Sequence, residues 1–151
     1  MSDLIQLLEN RKSALQIKIS DRKNTIKKSE EAYESLRLFK QVVEESQGGF
    51  NSINSGKMAI LDDVKYLDNC RTASEYNKGM SMVLSGIGTK VVGASYTSLL
   101  FLMKSKLQSY LNTISNCEAD IRTYQRQIEE IDRQIAAARY AAELLANMGG
   151  K

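Results

Sequence analysis

From Leu100 onward, side chains of one kind recur at alternating steps of three and four. They are Leu100, Met103, Leu107, Tyr110, Ile114, Cys117, Ile121, Tyr124, Ile128, Ile131, Ile135, Ala138, Ala142 and Leu145, all apolar or Tyr. A three–four alternation is the signature of a coiled-coil seam, and it cannot be a strand, whose period is two. It predicts one long helix over 95–148, opened by Ser95 or Thr97 and closed by Gly149-Gly150. At 1.5 Å per residue such a helix is roughly 75–80 Å long. Leu99, Leu102, Leu111, Tyr140 and Leu144 flank the seam and widen its apolar stripe.

The first part of the chain carries a looser version of the same pattern. Leu4, Leu8, Leu15, Ile19, Ile26, Tyr33, Leu36 and Val43 recur at heptad-like spacing, with polar interruptions at Lys12, Arg22, Ser29 and Lys40. Asp3, with Gln6 three residues on, suits a capping box. Gly48-Gly49 suits a helix end, so the predicted helix covers 3–46. Between the two long helices, 50–94 is irregular. Met58, Ile60, Leu61, Val64 and Leu67 predict a short helix from about Gly56 to Asn69. Ala73, Tyr76, Met80, Val83, Leu84 and Ile87 predict a second, weaker one. The Gly-rich run from Gly79 to Gly93 predicts a turn against the hairpin tip. The expected fold is therefore all-α: a long antiparallel, coiled-coil-like hairpin with short helices and a Gly-rich bend in the middle, forming one domain over 1–151.

Composition narrows the function classes. The chain has 151 residues, 42% hydrophobic, with no Pro, Trp or His. Without Pro nothing interrupts long helices, and without His the commonest general base and zinc ligand are missing. Its net charge of +3 does not demand a nucleic-acid partner. The basic stretch Arg11, Lys12, Lys18, Arg22, Lys23, Lys27 and Lys28 reads first as a solvated face paired with acids on a neighbouring helix. A patch for nucleic acid or anionic lipid is the sharper alternative, but no aromatic residue is interleaved there for stacking. Cys70 and Cys117 suit two isolated buried thiols in a reducing compartment. A disulfide between them stays open if the protein is exported. No signal peptide and no apolar run long enough for a membrane span is visible, so synthesis as a cytoplasmic protein is expected, and any export would proceed without a cleaved signal.

Candidate chemistry is sparse. Gly86-Ile87-Gly88-Thr89-Lys90 resembles a fragment of a phosphate loop but lacks the preceding strand and the Walker spacing. The carboxylate pairs Glu30-Glu31, Asp62-Asp63 and Glu129-Glu130 are adjacent on helices and point in different directions. No nucleophile sits beside a base in any arguable geometry, so neither an enzyme nor a cofactor is expected.

The bend candidate Val91-Val92-Gly93-Ala94-Ser95-Tyr96, followed by the heptad-rich arm, resembles the WXG-type helical hairpins of type VII secretion. It looks in particular like the YwqH-like small helical proteins associated with LXG toxins. Gly93 matches the Gly of that family's Trp-x-Gly bend, and Val91 stands where Trp would be. Tyr140-Ala141-Ala142-Glu143 is one residue short of the Tyr-x-x-x-Asp/Glu export signal, which leaves Tyr140 and Glu143 as an incomplete version of it. The resemblance implies a secretion partner or targeting chaperone. Its seam (Leu100, Met103, Leu107, Tyr110, Ile114, Ile121, Tyr124, Ile128, Ile131 and Ile135) would pack on a toxin's helical N-terminal domain or a second small hairpin. A self-assembling coiled-coil protein, as homo-oligomer or filament, is the alternative that the same seam supports.

Overall fold

The computed structural model describes residues 2–64 and 71–150. Those residues form an all-α helical hairpin of three helices: α1 (Ser2–Val64), α2 (Arg71–Leu84) and α3 (Ile87–Gly149). They divide into two compact units, one of residues 1–33 with 109–151, the other of residues 34–108.

In the first unit the start of α1 runs antiparallel to the end of α3. The residues withdrawn from solvent on α1 include Ile5, Leu8, Lys12, Leu15, Ile19, Arg22, Ile26, Ser29 and Tyr33, in unbroken three–four alternation. Facing them, α3 withdraws Tyr110, Ile114, Cys117, Ile121, Tyr124, Ile128, Ile131, Ile135, Ala138 and Ala142. Leu8, Leu15, Ile131 and Ile135 form the core cluster, with Ile5, Tyr124 and Ile128 packed on it. Three ion pairs fix the antiparallel register: Glu9–Arg139 at 3.0 Å, Lys12–Asp132 at 2.6 Å and Arg22–Asp120 at 2.9 Å. Half-exposed pairs like these contribute about 0–1 kcal/mol each, so burial of the seam, not charge, supplies most of the stability.

The polar interruptions have particular partners. Arg22 sits in the seam, and its Nε is close to Asp120 Oδ2 but not aimed along a hydrogen bond to it. The Tyr124 side chain, and then the Asp120 charge, hold the guanidinium above its ordinary value. Lys18 places its Nζ 5.7 Å from the centre of the same tyrosine ring. The basic stretch thus pairs in part with the neighbouring helix, through Lys12 and Arg22. Polar groups at seam positions cost stability and specify register. Cys117 is a buried free thiol in this seam, whereas Cys70 and Asn69 lie outside the described residues.

The second unit corrects the expected helix ends. α1 does not stop at Gly48-Gly49 but continues to Val64. A glycine C-cap needs a left-handed residue, and no glycine among the described residues has positive φ. Each interior glycine costs about 1 kcal/mol relative to Ala, but the seam carries on past them through Val43, Gln47, Phe50, Asn54 and Leu61. Packing therefore overrides the local stop signal. Phe50 lies against Tyr96 with ring centres 5.8 Å apart, and the Tyr96 hydroxyl hydrogen-bonds Ser46 Oγ at 2.6 Å.

α1 ends at α2. Leu61, only 2% exposed, anchors this end. Asn77 Nδ2 of α2 donates to the Leu61 carbonyl oxygen at 3.2 Å, and Ser81 Oγ donates to Asn77 Oδ1, orienting the amide. The Gly-rich run is not an extended turn either. Most of it is helix, in α2 and α3, and only Ser85-Gly86 separates them. There Ser85 N–H still donates to the Ser81 carbonyl, Lys90 N–H donates to that of Gly86, and Thr89 Oγ1 closes the end of α2 on the Val83 carbonyl.

On the exposed surface of α1, Arg37 makes a two-pronged contact with Glu34, at 2.6 and 3.0 Å. The Arg37 side chain holds the Glu34 carboxyl below the ordinary carboxylate range. A depressed carboxyl adds stability above its unfolded value and loses it as the pH falls through the folded one. NMR titration should find Glu34 more acidic than a free glutamate, and Arg37→Ala should return it to the ordinary range.

Candidate interaction face

The residues assigned from sequence to a partner-facing seam are mostly used up inside the chain. Met103, Ile131 and Ile135 are buried, and Leu100, Leu107, Tyr110, Ile114, Ile121, Tyr124 and Ile128 are half-buried between antiparallel helices. The seam is therefore first an intramolecular core. Leu145 keeps the spacing but is 61% exposed, and on α1 the inward residue at the start is Ile5 instead of Leu4. The predicted bend is also corrected. Val91 and Gly93 lie inside α3, with Val91 exposed and Gly93 half-buried in the seam. Ser95 and Thr97, expected as caps, donate instead to the carbonyls of Val91 and Gly93, one helical turn back. Tyr140 and Glu143 are both exposed on α3.

The surface left for a partner follows from helix geometry. In an antiparallel pair, the residues immediately following seam positions on both helices fall on one side, and those immediately preceding them fall on the other. Glu9 and Arg139 each follow a seam residue, Leu8 and Ala138, and they meet across the first unit. In the second unit the following flank is polar, with Arg37, Gln41 and Glu44 on α1 and Lys90, Thr97 and Lys104 on α3. Phe101 and Met58 are large apolar exceptions.

The preceding flank of the second unit is different. On α1 it reads Phe39, Val42, Ser46, Gly49, Ile53, Gly56 and Ile60, again three–four spaced and with no charge. On α3 it reads Gly88, Val92, Ser95, Leu99 and Leu102, before Lys106 interrupts it. Phe39, Val42, Ile53, Ile60 and Leu102 each keep more than half of their surface open, and Val92 and Leu99 about two-fifths. The second stripe is thus a second heptad seam, beside the first and on the same side of both helices. In the first unit the same flank is broken by Arg11, Lys18, Asp21, Lys28, Asp120 and Glu130 and is apolar again only at its far end, at Leu4, Leu7 and Leu144, so the continuous charge-free stripe is that of 34–108. A charge-free heptad stripe on two neighbouring helices is what a bundle helix presents to a further helix.

Among the described residues, no cluster of three His, Cys, Asp or Glu side chains could hold a metal ion, and no helix is long and apolar enough to cross a membrane. No family model matches the chain, and comparison with curated proteins and with solved structures likewise gives no match. The second stripe escaped the sequence reading because its large residues alternate with Ser46, Gly49 and Gly56. The detectable signal was the heptad spacing of Phe39, Val42, Ile53 and Ile60 one position before the main seam.

Proposed function

We propose that this protein is a non-enzymatic interaction protein that works by packing helix on helix, with the exposed second stripe of residues 34–108 as its docking surface. The observation that carries this reading is the stripe itself: apolar, uncharged and heptad-spaced on both α1 and α3. Several large apolar side chains on one face exceed the scattered exposure normal for a lone domain. The resemblance to WXG-type and LXG-associated small helical proteins gives the role: a secretion partner or targeting chaperone that keeps a cargo helix covered and presents it for type VII export. The one-residue-short Tyr140–Glu143 signal fits a division of labour in which the cargo supplies the complete one.

Co-expression with the products of neighbouring genes tests the reading, the expected partner being a helical toxin domain. The complex should copurify, and Ile53→Glu with Leu99→Glu should weaken it by a factor of 100 or more, since two carboxylates would enter an apolar contact. Circular dichroism should show the helices unchanged, because both positions are exposed in the free chain. A complex that survives both substitutions would refute this surface as the docking site.

A further inference from the structure

We infer that the α1 half of this stripe pairs with a second copy of the chain, antiparallel about a two-fold axis beside Gly49. The inference rests on the stripe being a docking surface and names what covers its α1 half when no cargo is bound. The order of residue sizes supports a self-pairing. With Gly49 at the axis, Ile53 of one copy faces the partner's Ser46, and Val42 faces the partner's Gly56. Large therefore meets small throughout the interior, and Phe39 against the partner's Ile60 closes each end. The pattern is complementary to its own reverse, as an isologous contact requires.

Gly49 and Gly56 point the same way. A Cβ built on either would meet nothing within 4 Å. Glycine is disfavoured inside helices, and no contact within the chain calls for it at these two places. A second backbone crossing at Gly49 would give it a use, because glycine permits close approach. Charge gives no reason to prefer a different partner: the stripe on α1 has none between Phe39 and Ile60. The four large α1 side chains leave on the order of 400 Å² of apolar surface open, and Val92, Leu99 and Leu102 of α3 beside them bring the stripe to on the order of 600 Å², at the upper end for a monomer and short of the ~800 Å² per partner of a standard interface.

The test uses the full chain. Light scattering across a concentration series should give the mass of a dimer. Gly49→Leu should weaken self-association at least 100-fold while leaving the monomer's helicity intact, since the added side chain has open space in the single chain. With Cys70→Ser and Cys117→Ala in place, Gly49→Cys should form an intermolecular disulfide on mild oxidation, because the two Cα atoms would lie within about 7 Å. Gln41→Cys, on the opposite flank, should not. A monomer that binds a hydrophobic dye, with the signal lost in Ile53→Glu, would overturn the self-pairing and leave the docking surface standing. A monomer that binds no dye would overturn both. A dimer that tolerates Gly49→Leu and gives no disulfide through Gly49→Cys would overturn this interface.

Discussion

Replacing Ile131 by alanine should destabilise the protein by about 3 kcal/mol, the cost of deleting a large buried aliphatic side chain that its neighbours cannot fully replace. Ile131 is 3% exposed and belongs to the cluster with Leu8, Leu15 and Ile135. Two helices supply that cluster, so removing the side chain leaves a void between them instead of a surface that water can fill. Leu145→Ala is the matched comparison. It falls on the same three–four spacing, but its side chain is 61% exposed, so its loss should cost within about 0.5 kcal/mol. Chemical denaturation of both variants, with helicity as the signal, separates the two. Equal costs would mean that the antiparallel register of the first unit differs from the one fixed by Glu9–Arg139, Lys12–Asp132 and Arg22–Asp120.

The contrast between Ile131 and Leu145 also shows what the sequence could and could not reveal. The spacing of α3 was legible because almost every seam position is apolar, and the polar interruptions of α1 at Lys12, Arg22, Ser29 and Lys40 fall on inward positions as read. Periodicity gives the face of a helix. It does not say how far along that face a partner reaches, which is why Leu145 looked like core. Leu4 and Ile5 are both apolar, and only the three–four step from Ile5 through Leu8 to Lys12 selects the second. Helix ends were the least legible feature. Gly48-Gly49 and Gly93 are local stop or bend signals, but each lies in a helix whose seam continues on both sides, and burial outweighs a glycine's intrinsic cost. The interaction face was harder still, because Gly49 and Gly56 dilute an apolar pattern while preserving its period.

One glycine does mark a break. Gly86→Ala should destabilise the second unit by about 2 kcal/mol, in the range found when an extra carbon is forced into occupied space. The cause is steric and not conformational, since Gly86 does not have positive φ. A Cβ there would collide with the backbone carbonyl oxygen of Met82, with the Met82 carbonyl carbon and the Val83 oxygen close behind. These atoms belong to the last turn of α2, where Ser85 N–H and Thr89 Oγ1 also bind, so they cannot yield as a flexible side-chain end would. Relief would require α2 to tilt, pulling Leu84 from its buried site and straining the Asn77 contact with the Leu61 carbonyl. Gly88→Ala supplies the control two residues on. Its Cβ would meet nothing within 4 Å inside the first turn of α3, so helix propensity alone should make it neutral or slightly stabilising. The thermal unfolding midpoint should therefore fall for Gly86→Ala and hold or rise for Gly88→Ala. A Gly86→Ala variant as stable as the parent would mean that α2 and α3 join without the close approach of Gly86 to the Met82 carbonyl.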